Sequence, residues 1–161
     1  EFFYSYGAVD RTSSGTYTVE GNKIILKSSK DPGKDFTVTK QTIIPDGFVV
    51  VAHAPNSILA TYVKAIVVNG QEKEEFYSNN KGIINISSSK AEKIYLQHEL
   101  YPDIVTLIKD ESNNHNHFEV SLNQSLEQVS FKGIDFTIEG DTILMPTHYF
   151  MPFRDIRFVK R

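Results

Sequence analysis

Residues Asn113–Asn123 read NNHNHFEVSLN, the stretch of this chain richest in groups that do chemistry. His115 and His117 stand two apart, and Glu119 follows two further on. On a β-strand, side chains i and i+2 share one face, about 7 Å apart. His115, His117, Glu119 and Ser121 would then face one way, and Asn116, Phe118, Val120 and Leu122 the other. Two imidazoles at that spacing can converge on one divalent cation with Glu119 as third ligand, the makings of a metal-dependent enzyme. The same pattern describes the wet side of a half-buried strand, because an apolar face needs a polar one opposite. A metal site also needs an oriented outer shell, which spacing does not supply. The solvated face is therefore the reading taken, and no cofactor is expected.

The other histidines carry less. His53 closes an apolar run and reads as a buried or strand-end residue, and His98 shares a face with Ile94 and Leu96. His148 sits between two prolines in PTHYFMPF. There is no G-x-S-x-G elbow and no Cys, so no nucleophile has a recognisable setting. Glu74 and Glu75 adjoin Lys73 on a charged strand and read as a solvated face. The turns DPGKD and SNNKG do not follow the spacing of a calcium-binding EF-hand loop. Phosphate-cradling and dinucleotide fingerprints are missing. No catalytic residue is assigned.

Aromatic clusters remain. Phe2, Tyr4 and Tyr6 alternate in FFYSYG, and Tyr149 and Phe150 lie close to Phe153. Phe2, Tyr4, Tyr6, Tyr149 and Phe150 are the candidates for a ligand groove or partner surface. Packing within the core is the plainer account of both clusters.

Totals set the class. The 161 residues suffice for one domain with a real core, or for two small ones. Lys and Arg number 17 against 20 Asp and Glu, without a basic run, so no nucleic-acid surface is expected. No apolar stretch reaches the length of a bilayer span. The lack of Cys excludes disulfides, and the lack of Trp counts against a sugar-binding face. The sequence opens Glu-Phe-Phe rather than with Met, so a natural start, with any signal peptide, is expected upstream.

These residues must be carried by strands. Apolar residues recur with period two: Tyr17 and Val19, Phe36 and Val38, Phe136 and Ile138. FVVVAHA (Phe48–Ala54) and YVKAIVV are apolar on nearly both faces, and the first reads as a central strand covered on both sides. Gly21-Asn22, Asn69-Gly70 and Gly140-Asp141 supply the positive φ of tight hairpins, and Pro45-Asp46-Gly47 is expected to make another. Ser89–Leu100 carries a capping-box pattern but alternates cleanly; a strand is expected, with any single short helix falling there. The softest boundary is SSKDPGKD (Ser28–Asp35), which would separate an N-terminal hairpin unit, residues 1–30, from a sandwich over 35–161 within a single β-rich domain. The fold class is all-β, an antiparallel β-sandwich with a possible additional β unit.

Two resemblances follow. FVVVAHA, YVKAIVVNG and FYSNNKGIINI, within Phe48–Leu122, resemble the transthyretin-like, carboxypeptidase-regulatory-like β-sandwich. The opening stretch Phe2–Ser29, with its Gly-Thr-Tyr strand and Gly-Asn hairpin, is similar to the start of exported bacterial proteins with lipocalin-like β domains. Neither family brings catalytic residues. Together they imply an exported module, periplasmic or in the cell envelope or extracellular, that displays, binds or stiffens, with a protein or cell-surface partner. A lipocalin-like carrier of a small apolar ligand is the alternative, and a metal enzyme on His115, His117 and Glu119 the second.

Overall fold

The computed structural model describes residues 1–6, 9–30, 34–102, 105–131, 134–147 and 156–159; the side chains of Tyr4, Tyr6 and Val9 fall outside that description. The chain is all-β and divides into two compact units. Unit 1 combines Glu1–Lys30 with Glu127–Arg161, and unit 2 is Asp31–Leu126. The loop after Ser28 therefore coincides with one unit boundary, while the strands after Glu127 join the sheet begun by the first thirty residues.

Unit 1 opens with strands β1 (Phe2–Tyr6) and β2 (Val9–Ser13), a two-stranded antiparallel sheet. The hairpin β3 (Gly15–Glu20) and β4 (Lys23–Ser28) turns on Gly21 at φ 63°. Glycine meets that φ without the steric cost that a side chain brings.

Unit 2 contains β5 (Phe36–Thr42), β6 (Phe48–His53), the helix α1 (Ser57–Ala60), β7 (Val63–Asn69), β8 (Glu72–Tyr77), β9 (Ile83–Ile86), β10 (Lys93–His98), β11 (Thr106–Lys109) and β12 (His117–Leu122). A 3₁₀ turn, Gln124–Glu127, follows. The chain then returns to unit 1 with β13 (Asp135–Glu139), β14 (Thr142–Met145) and β15 (Ile156–Val159). There β13 pairs with β4, giving a five-stranded sheet of order β15-β14-β13-β4-β3.

Unit 2 is a sandwich of two four-stranded sheets, β5-β12-β6-β9 and β11-β10-β7-β8. Alternate residues of both sheets fill one core: Val50 and Ala52, Val63, Ala65 and Val67, Ile94 and Leu96, Phe118 and Val120. Burial of such apolar area stabilises at about 25 cal/mol per Å².

Four expectations are corrected here. Pro45-Asp46-Gly47 does not close a hairpin, although Gly47 does take φ 68°. Instead β12 lies between β5 and β6, antiparallel to the first and parallel to the second, so the sandwich is not purely antiparallel. The Asn116 side chain holds the connection open: its Oδ1 accepts from Ile44 N–H at 2.8 Å, and its Nδ2 donates to Gly47 O at 2.8 Å. β6 is interior in its sheet but unequally covered, with Val50 and Ala52 buried on one face, and Val49 and Val51 half-buried and His53 exposed on the other. The short helix lies not in Ser89–Leu100 but at Ser57–Ala60, where Asn56 Oδ1 caps Ile58 N–H at 3.0 Å. Ser89–Leu100 carries β10, because Ile94, Leu96 and His98 need one buried face.

Among the described residues, no helix is long and apolar enough to cross a membrane.

Candidate functional site

The polar face of β12 brings four titratable groups of unit 2 together: Lys40, His53, His117 and Glu119. Phe118 and Val120 point into the core, which turns His117, Glu119 and Ser121 outward. Glu119 stands opposite Lys40 on β5 and beside β6. Lys40 Nζ donates to Glu119 Oε1 at 3.0 Å, and His53 Nε2 lies 3.6 Å from Glu119 Oε2. The Lys40 hydrogen bond, aided by the charges of Lys40, His53 and His117, holds the Glu119 carboxyl below the usual carboxylate range. It is therefore an anion at neutral pH and has no proton to give.

The strand begins at His117, so His115 does not join Glu119 on the ladder as expected. His115 Nδ1 lies 2.8 Å from Asn113 Oδ1 and belongs to the preceding turn, while His117 Nδ1 meets Thr42 Oγ1 at 3.0 Å. The structure brings His53, not His115, to Glu119. Among the described residues, no group of three or more His, Cys, Asp or Glu side chains is placed to hold a metal ion. His98, on the buried face of β10, is taken up in packing with Tyr101 at a centroid separation of 5.1 Å.

The second candidate surface is aromatic. Phe2 packs edge-on against Phe131 at 5.0 Å and borders the unit 1 core of Val129, Phe131, Ile134, Phe136 and Met145. Phe3, its neighbour, is exposed. Tyr4 and Tyr6 belong to β1, but their side chains are outside the described residues, as are His148, Tyr149 and Phe150 entirely.

A third surface was not singled out from the sequence. In antiparallel pairs, residues directly opposite share a face. Register therefore places Tyr17 with Leu26, Val19 with Ile24, Ile24 with Phe136, Ile138 with Ile143, and Ile143 with Phe158 on one side of the five-stranded sheet. The middle of that apolar face forms the core of unit 1. Its margin is uncovered: Tyr17 is 68% exposed, Val19 54% and Phe158 43%. All six residues of β3 are exposed, and among the described residues no strand pairs with its outer edge. Two recesses open along this margin, one among Phe2, Tyr17, Leu26 and Phe131, the other among Ile138, Ile143 and Phe158.

No family model, curated protein or solved structure matches the chain.

Proposed function

We propose that the protein is an exported or cell-envelope binding module, and that unit 1 receives a protein partner along the free edge of β3 and the apolar margin beside it. The observation that carries this reading is the exposure of Tyr17 and Val19 at an open sheet edge. Open edges offer unpaired backbone groups to an added strand, and apolar side chains on one face supply the accompanying contact. The export part rests on the resemblance of Phe2–Ser29 stated above, and the β-sandwich of unit 2 suits the transthyretin-like reading. Fractionation of cells producing the protein from its own gene checks export; retention in the cytoplasm would remove it. The carrier reading asks for an enclosed apolar cavity, and the recesses along the margin of unit 1 open to solvent.

Peptide display tests the edge. Extended peptides with alternating apolar residues are expected to be enriched on the immobilised protein. Val19→Pro should abolish their capture. Val19 directs its backbone N–H outward, so proline there removes an edge donor and no bond to β4. Enrichment of peptides that bind Val19→Pro equally well would put the recognition surface elsewhere.

A further inference from the structure

Resting on that reading of β3, we infer that one partner the edge accepts is a second copy of this chain, through antiparallel pairing of β3 with β3 about a two-fold axis at Thr18.

The phase of the ladder comes first. Ser29 N–H donates to Ser14 O at 2.8 Å, in line with the Glu20–Lys23 register of the hairpin. With period two, Thr16, Thr18 and Glu20 bond inward to β4. Tyr17 and Val19 therefore turn their N–H and C=O groups to the open edge.

Register comes second. Two copies can align their apolar faces only if opposed residue numbers sum to an even value, because a one-residue slip puts apolar against polar. Centring on Thr18 opposes Tyr17 to Val19 of the other copy and Thr16 to Glu20, and it leaves only Gly15 of the strand outside the pairing. The outward-bonding residues Tyr17 and Val19 meet as hydrogen-bonded pairs, as the phase requires. Thr18 meets its own copy in a non-bonded pair. The apolar face becomes one continuous row, Ile24–Val19 followed by Tyr17–Leu26 of the second copy.

Charge comes third. On the polar face this register builds the row Lys23–Glu20, then Thr16–Lys27 of the second copy, and its mirror. Each Glu20 is then flanked by its own Lys23 and, roughly 10 Å away across Thr16, by the partner's Lys27, within reach of two long side chains. No like charges are opposed.

The other sheet shows what a guarded edge looks like in the same chain. β8 is an outer strand, and it reads EKEEFY. Charges in that density discourage strand addition, whereas β3, GTYTVE, has one charge, at its end. Six residues a side bury well under the ~1,600 Å² of a standard interface, so the association is weak and concentration-dependent.

Sedimentation velocity over a concentration series, with single-cysteine variants, tests the pairing. The chain has no Cys, so each introduced thiol is unique. In Thr18→Cys the two sulfurs face each other across Cα atoms about 4.5 Å apart, inside disulfide range. In Thr16→Cys the thiols are offset by four residues, roughly 13 Å, and out of range. Expected are a growing dimer fraction at high concentration, rapid disulfide dimer formation by Thr18→Cys but not Thr16→Cys, and loss of the dimer in Val19→Pro with an unchanged far-UV circular dichroism spectrum. A wild-type monomer at all concentrations, or equal cross-linking of the two cysteine variants, overturns self-pairing. If displayed peptides still bind β3 in that case, the recognition edge stands and only the second copy falls. If they do not, the reading of β3 falls with it.

Discussion

His98 Nε2 lies 2.9 Å from the carbonyl oxygen of Leu59, and His98 Nδ1 accepts the N–H of Leu100 at 3.2 Å. The two bonds fix the tautomer: Nε2 carries the proton and Nδ1 is bare. The imidazole is fully buried and ties the end of β10 to the residues of α1. A second proton would have to sit on Nδ1, which faces a donor. Burial accordingly drives the His98 pKa from 6.5 down to about 4, with the Leu59 hydrogen bond opposing the shift only in part.

That shift makes acid destabilisation site-specific. Above pH 6.5 the imidazole is neutral folded and unfolded, and its contribution is complete. As pH falls from 6.5 toward 4, the unfolded chain takes up the proton and the folded one refuses it, so stability declines. Over that window the loss approaches about 3 kcal/mol, at 1.36 kcal/mol for each pH unit. Urea unfolding of the wild type and of His98→Gln, at a series of pH values, measures it. The glutamine keeps a donor and an acceptor but does not titrate, so its midpoint should fall less steeply between pH 6.5 and 4. Parallel slopes would show that His98 is not the proton acceptor that matters.

Gly82 gives a backbone prediction. It takes φ 72°, and a Cβ there would lie 2.8 Å from Ala52 O and 3.0 Å from the Ala60 Cβ. Its own carbonyl accepts the Ala52 N–H at 2.8 Å, so the loop cannot back away without losing a ladder bond. Gly70 has a similar φ of 59° with open space around it. Gly70→Ala should cost about 1–2 kcal/mol from conformation alone. Gly82→Ala should cost clearly more. Equal unfolding midpoints for the two variants would show that the clash relaxes freely.

What the sequence disclosed was local. The Gly21-Asn22 and Gly140-Asp141 turns and the alternation of Ile94, Leu96 and His98 all act within a few residues, and each appears in the structure. The burial of Phe118 and Val120 was readable for the same reason. The insertion of β12 between β5 and β6 was not, since it pairs His117 with Thr42 and Val49, which no short pattern relates. Nor was the pairing of Ile25 with Asp135, which draws β13 into the sheet of unit 1. The approach of His53 to Glu119 follows from that parallel pairing and was hidden with it. Tyr17 and Val19 alternate as buried residues do. Their exposure depends on β3 being outermost, a property of the whole sheet rather than of the strand.

The histidines of NHNHFEV are expected to matter little to stability. His115 and His117 bond to Asn113 and Thr42 at the rim of the sheet, partly open to water. The double variant His115→Ala/His117→Ala should stay within about 1 kcal/mol of the wild type in urea unfolding. Its neighbour Asn116 should not be so tolerant. Asn116→Ala removes one acceptor and two donor bonds to Ile44 and Gly47, and these hold the connection that admits β12. A cost of about 2–4 kcal/mol is expected, from bonds worth about 1 kcal/mol each and the backbone groups left without a partner. If the double histidine variant proves the more destabilised, the connection is held by something other than Asn116.

Phe118 tests whether β12 is the strand on which unit 2 depends. Its side chain has no exposure and sits in a strand hydrogen-bonded on both edges, to β5 and to β6. The pairing closes the sheet across some eighty residues of chain, from Gln41 to Phe118. Truncation to alanine removes an aromatic ring from a filled core, which costs about 3–5 kcal/mol. Phe3→Ala, on an exposed position of β1, serves as the comparison and should cost about 0.5 kcal/mol or less. Native-state hydrogen exchange gives a second readout. Amides of β12 and β6 should exchange more slowly than those of β8, which is paired on one edge only. Phe118→Ala should bring β12 and β6 down together, because the two strands pair with each other over five residues. Fast exchange of β12 in the wild type would mean that the strand order holds without β12 as its central member, and the weight placed on Phe118 would be wrong.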